Sequence, residues 1–189
     1  MRNKISHIIN SIVPISNSAL DKVLDLMQVV HFEKGELITK VGQHNKSEYF
    51  GTQGICKTFL YNPEGEEISL SFFMENSIVS PYTTRNKDGK SILNIRCLMA
   101  TEVVTIEADA FEKLMIDDLE IRHFANTVLR NELMTKVQKE IGLASLPGKE
   151  RLQILRVQYP NIENLIPHAD IASYLGITTI SLSRLRTKS

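Results

Sequence analysis

The chain is short of most features that would settle its chemistry at once. It has two cysteines, Cys56 and Cys97, far apart and with no histidine at metal-ligand spacing. A zinc site or iron–sulfur cluster needs several thiolates or imidazoles at short spacings, so neither is supported, and the two read as buried thiols of a reduced cytoplasm. No stretch approaches the roughly 20 apolar residues that cross a bilayer. The N-terminus has no apolar run followed by a small-residue cleavage site. A cytoplasmic protein without a membrane partner is expected. There is no P-loop, no nucleophile elbow and no metal-spaced histidine pair, and His7, His31, His44, His123 and His168 fall mostly outside the strands assigned below. An enzyme on a small β-roll would need histidines and a carboxylate converging from neighbouring strands, so neither catalysis nor a cofactor is expected. Net charge is missing too, since 22 Lys+Arg balance 22 Asp+Glu. The balance is uneven, however: residues 148–189 hold six Lys/Arg against Glu150, Glu163 and Asp170. A basic end on an otherwise acidic chain is what phosphate binding needs.

That basic end carries the most informative spacing. In Asp170-Ile-Ala-Ser-Tyr-Leu-Gly-Ile-Thr-Thr-Ile-Ser-Leu-Ser-Arg-Leu-Arg186, Ile171, Ala172 and Leu175 form one apolar face. Gly176 supplies a turn, Ile177 plugs the corner, and Thr178 or Thr179 caps a second helix buried through Leu182 and Leu185. The outward residues of that second helix are polar or basic, with no acid from Gly176 onward. This predicts a helix-turn-helix with its second helix for the DNA major groove. The candidate DNA-binding residues are Thr178, Thr179, Ile180, Ser183, Arg184, Arg186, Thr187 and Lys188. Arg184 is assigned to a base, Thr179 and Ser183 to shorter contacts, and Arg186 and Lys188 to phosphates. The competing reading is an ordinary helical hairpin packed on something else, which would not require the acid-free face.

Upstream, residues 4–29 carry two short amphipathic patterns separated by Pro14. From His31 the texture becomes that of short strands with glycine turns, including Ile55–Tyr61 and Glu67–Phe73 around Asn62-Pro-Glu-Gly65, then Ile92–Met99 and Glu102–Glu107 after a looser piece, Glu75–Lys90. About eight such strands indicate a β-roll. Ala108-Asp109 starts the next helix. Residues 117–144 contain no proline, and no glycine before Gly142, while Ile121, Ala125, Val128, Leu129, Leu133, Val137 and Ile141 keep three-and-four spacing. One long helix results, longer than a small roll can cover, so the first six of these residues are expected to meet a second copy in a homodimer. Ser145-Leu-Pro-Gly148 breaks the chain ahead of a further helix, Lys149–Tyr159. The fold class is therefore α+β, divided as 1–116 (roll), 117–145 (dimerisation helix) and 146–189 (helix-turn-helix).

In that order the pieces resemble the Crp/Fnr family of bacterial transcription regulators over nearly the whole chain. In the roll the resemblance rests on Phe32-x-Lys-Gly-Glu-x-Ile-x-x-x-Gly42, Gly54 with Lys57, Gly65-Glu-Glu67 and Phe72; at the end it rests on Asp170-Ile-Ala-x-x-Leu-Gly-Ile-Thr-x-x-x-Leu-Ser-Arg184. It implies a cyclic-nucleotide-binding-like roll, a dimer, and double-stranded DNA with an inverted repeat as partner, and it leaves room for a small-molecule effector in the roll. Members that bind cyclic AMP place a Gly-Glu pair and then an Arg followed by Ser or Thr and Ala in the phosphate cassette. Here the corresponding pieces read Ser77-Ile-Val-Ser-Pro-Tyr-Thr-Thr-Arg85 and Ser91-Ile-Leu-Asn-Ile-Arg96, so no dedicated cyclic AMP site is expected. The pocket, filled or suited to a less polar ligand, is placed around Phe72, Ser80, Tyr82, Arg85, Ile92 and Arg96. The family's β-hairpin wing beyond the recognition helix has no counterpart before Ser189, which implies fewer phosphate contacts. Two alternatives stay open: a sensing module whose last helices contact only protein, and, less well supported, an enzyme on a cupin-like roll.

Overall fold

A computed structural model describes residues 2–79 and 85–187, the side chain of Thr52 excepted. Two short helices, α1 (Arg2–Ile12) and α2 (Asn17–Leu24), lead into the strands β1 (Gln28–Phe32), β2 (Leu37–Thr39), β3 (Ser47–Gln53), β4 (Cys56–Tyr61), β5 (Glu67–Phe73), β6 (Ser77–Val79), β7 (Asn94–Cys97) and β8 (Thr101–Glu107). Then come α3 (Ala108–Asp117), the long α4 (Leu119–Ser145), α5 (Gly148–Gln158), α6 (Ile162–Leu165), α7 (His168–Tyr174) and α8 (Thr179–Thr187). The strands form two antiparallel sheets, ordered β1-β8-β3-β6 and β2-β7-β4-β5, which face each other as a roll. The α+β reading holds, and β6 is an addition that lies in the piece read as loose.

Local chemistry explains the joints. The β4–β5 turn closes because Gly65 takes a positive φ of 83°, while the Glu66 amide donates to Asn62 Oδ1 (2.8 Å). Asp118, in extended conformation, separates α3 from α4, and its Oδ1 accepts from the Glu120 (3.0 Å) and Ile121 (3.4 Å) amides as an N-cap. Lys22 Nζ also donates to Asp118 (2.7 Å), fastening α2 to the start of α4.

Both faces of the first sheet are buried, which is why β8 carries adjacent valines. Val103 joins Tyr49, Cys56, Phe73, Val79, Ile95 and Cys97 between the two sheets. Val104 and Ile106 turn the other way, under Ile5, Ile8 and Ile9 of α1, Phe111 of α3 and the first half of α4. A third cluster forms the C-terminal module, and it includes Ile55 and Phe72 from the roll.

Candidate nucleic-acid interface

The helix-turn-helix is built as its spacing requires. Gly176 sits at φ 64°, the left-handed conformation that ends α7. The Ile177 amide then donates to the Ala172 carbonyl (3.0 Å) and the Gly176 amide to Ser173 (3.1 Å). A side chain at Gly176 would also come within 3.2 Å of Leu143 on α4. Thr178 caps α8, its Oγ1 accepting from the Ser181 amide (3.1 Å). Leu182 is buried with Ile171, Ala172 and Leu175, while Leu152, Leu155 and Ile162 complete the floor from α5 and α6.

Of the candidate DNA contacts, Thr178, Thr179, Ile180, Ser183, Arg184 and Thr187 are exposed. Thr178 is committed to the cap as well. Arg184 has no ion pair with any described residue. Arg186 departs from its assignment: its Nε lies 3.0 Å from Glu163 and its Nη1 3.3 Å from His168 Nδ1, so it binds inside the module rather than standing ready for a phosphate. The Glu163 carboxyl is held below its ordinary range, chiefly by the hydrogen bond from Arg156 (2.6 Å), with Arg186 adding to it. Lys188 lies outside the described residues.

The module is tied to the roll through the outer face of the second sheet. Lys57, 2% exposed, donates to Asp170 Oδ1 on α7 (2.6 Å) and to Glu67 Oε2 on β5 (2.7 Å). Burial alone would raise the Glu67 carboxyl, but the bonds from Lys57 and Arg96 outweigh it and hold it below the usual range. Ser173 Oγ donates to the Glu67 carbonyl (3.0 Å) and accepts from the Ser69 amide (2.9 Å), so α7 caps the edge of β5. Phe72 packs on the rings of Tyr174 and Tyr159, with centroids 5.1 and 5.8 Å away. Lys139 of α4 completes the joint, donating to the Leu70 carbonyl (2.7 Å) with its ammonium 3.6 Å from the centre of the Tyr174 ring.

Comparison with known proteins agrees with this architecture. The pattern of the cyclic nucleotide-binding domain matches residues 29–118, from β1 to the end of α3. The regulatory protein HlyX of Actinobacillus pleuropneumoniae is 23% identical over 177 residues, covering 88% of this chain and 72% of HlyX. FixK2 from Bradyrhizobium japonicum superposes with a TM-score of 0.77 at 15% identity, covering 86% of this chain and 83% of its own. A structure from Eubacterium rectale assigned to the Crp/Fnr family gives a TM-score of 0.69 at 17% identity, covering 90% and 82%. The chain is thus similar to proteins of the Crp/Fnr family over nearly its whole length, and it shares their fold.

Among the described residues, the expected ligand-pocket residues do not converge. Cα pairing puts Arg96, Lys57 and Phe72 in one row across β7, β4 and β5, with Cys97, Cys56 and Phe73 in the next. Neighbouring rows point to opposite faces, and the cysteine row is the one inside the roll. Phe72 and Arg96 therefore face outward, Phe72 toward the helix-turn-helix and Arg96 onto Glu67 and the Phe59 ring, 4.4 Å from its centroid. Arg85 binds Glu48 and the Ser47 carbonyl (3.3 Å), and Ile92 is 47% exposed. Ser80 and Tyr82 lie outside the described residues.

The stripe on α4 divides as well. Ile121, Ala125 and Val128 are buried in the chain's own core, against α1, α3 and β3, so they are not open to a second copy as expected. Leu129 is half-buried, and Leu133, Val137 and Ile141 are exposed, together with Met134, which the sequence reading did not single out. Met134 lies three residues before Val137 and seven before Ile141, so it was open to detection. Lys57 and Asp170 were seen only as motif residues. The signal for their pairing is a lysine within a strand of mostly apolar residues.

Proposed function

We propose that this chain is a homodimeric, DNA-binding transcription regulator of the Crp/Fnr family in which α8 enters the major groove and the second half of α4 forms the twofold seam. The observation that carries this reading is α8 itself: a capped helix on a buried floor, presenting Thr179, Ser183 and an unpaired Arg184 with no acid. The regulators it resembles support the same reading. On α4 the seam residues are Leu133, Met134, Val137 and Ile141, an apolar stripe too exposed for a solitary helix. Homodimers of this kind place two recognition helices about 34 Å apart and select inverted repeats. The roll does not serve as a dedicated cyclic AMP receptor, because its interior is filled by Tyr49, Phe73, Ile95 and Val103 and both candidate arginines serve other partners. Calorimetry with cyclic AMP tests that half of the reading, and saturable binding in the low micromolar range contradicts it.

A second reading, a sensing or protein-interaction module without specific DNA binding, draws on two observations: Ile180 in the middle of the recognition face is 64% exposed, and Arg186 is withdrawn onto Glu163. A gel-shift against the protein's own upstream DNA separates the two. A shifted band that survives non-specific competitor supports the regulator. Loss of the band to competitor, with equal affinity for unrelated DNA, supports the module.

A further inference from the structure

Between α4, α5 and α7 lies a crevice of about 380 Å³, within the size range of small-molecule sites. Its walls are mostly apolar, with Leu143 and Leu146 from α4 and its end, Ile154 from α5 and Leu175 from the end of α7. Two cationic side chains, Lys139 and Arg151, also line it. Neither forms an ion pair with a carboxylate among the described residues. Arg151 donates through Nη1 to the Leu146 carbonyl (2.8 Å), but its Nε is buried and has no acceptor among those residues. Lys139 is worse placed for a charge. Burial lowers its pKa to about 7, with repulsion from Lys136 adding to the effect, and its compensation comes from backbone carbonyls and a ring. A buried ammonium without a counter-charge costs free energy that an anion at the same place would recover.

We propose that this crevice is a binding site for a small amphiphilic carboxylate, its head between Lys139 and Arg151 and its apolar body against Leu143, Leu146, Ile154 and Leu175. Charge complementarity selects the head, because a carboxylate supplies both cations with a counter-charge. The apolar walls select the body: Leu143 and Ile154 are about half exposed, and an apolar ligand chain would cover them. A second copy is not the occupant. Successive helical residues turn by about 100°, so Leu133 and Val137 lie on the side of α4 opposite Lys139 and Gly142, and of the seam residues Ile141 alone reaches the crevice wall. A partner helix on the seam therefore borders the crevice at Ile141 without entering between Lys139 and Arg151. The site adjoins the roll through Lys139, which donates to the Leu70 carbonyl of β5.

Calorimetric titration of the full-length protein with octanoate, octanol and octylamine tests the assignment without DNA, so it stands or fails apart from the regulator reading. Octanoate is expected to bind saturably and about tenfold more tightly than octanol, with octylamine weakest. Lys139→Gln and Arg151→Gln should each remove most of the preference for octanoate over octanol while leaving octanol unchanged. Ile154→Trp, at a half-exposed position where added volume does not disturb the core, should block both ligands. The three-ligand series on the wild-type protein decides the matter even where a variant fails to fold. Equal affinity for octanoate and octanol, tighter binding of octylamine, or no saturable binding of octanoate overturns the proposal.

Discussion

The two halves of α4 have similar sequence texture and opposite surroundings. In the first, Ile121, Phe124 and Val128 are buried, Phe124 at 1% exposure; in the second, Leu133 stands 60% exposed, with Met134 and Ile141 close to it in exposure. The three-and-four spacing runs through both. What changes is the neighbour: α1, α3 and β3 lie beside the first half, while the second half projects past them and bonds to the roll through Lys139. Helical periodicity reports that a face is apolar, and only tertiary contacts report what covers it.

The contrast is most easily broken by paired substitutions. Phe124→Ala leaves a cavity in a packed core and should cost about 3–5 kcal/mol of unfolding free energy. Leu133→Glu should cost within about 0.5 kcal/mol of the isolated chain's stability while converting dimers to monomers. Denaturant unfolding and light scattering at micromolar concentration read the two effects. Equal destabilisation by both, or a wild-type monomer, would remove the distinction between the halves. The next largest effect concerns the clamp beside the exposed half. Asp170→Asn leaves a buried Lys57 with one carboxylate in place of two and should lower stability by about 3 kcal/mol. Thermal unfolding checks it, and an unchanged midpoint would mean that α7 is not held to β4 by this pair.

Much of this was legible beforehand, and the failures share one cause. Element order, the β4–β5 turn, the long helix and the helix-turn-helix follow from local signals: Gly65, Gly176, the Thr178 cap and unbroken helical spacing. The inward or outward sense of a strand residue is equally local once one neighbour is fixed. Counting by two from Cys97 inside the roll places Arg96 outside, yet nothing local says that Cys97 is the inner residue. Phe72 was misplaced for the same reason, since its partners Tyr159 and Tyr174 lie far along the chain. The division of α4 and the withdrawal of Arg186 onto Glu163 also depend on contacts between segments distant in sequence.

Smaller effects sharpen the picture at the recognition end. Arg184→Ala should weaken binding to the preferred DNA by about 1–3 kcal/mol and relax one position in each half-site, leaving non-specific affinity nearly unchanged. Equal losses on all sequences would assign Arg184 to a phosphate. The smallest effect is that of pH on Glu163. Its carboxyl is depressed in the folded chain by Arg156 and Arg186, so the pair contributes stability above the ordinary carboxylate range and loses it as pH falls through the depressed value. Glu163→Gln should therefore reduce the acid sensitivity of the thermal midpoint below about pH 4, by an amount worth about 1 kcal/mol or less.

The most direct test of the account is selection of DNA from a random pool by the full-length protein, because it asks about α8 and the seam on α4 together. The account predicts an inverted repeat whose half-sites are centred about 10 base pairs apart, one helical turn. Enrichment of a lone half-site would contradict the twofold seam, and no enrichment at all would contradict the assignment of α8 to DNA.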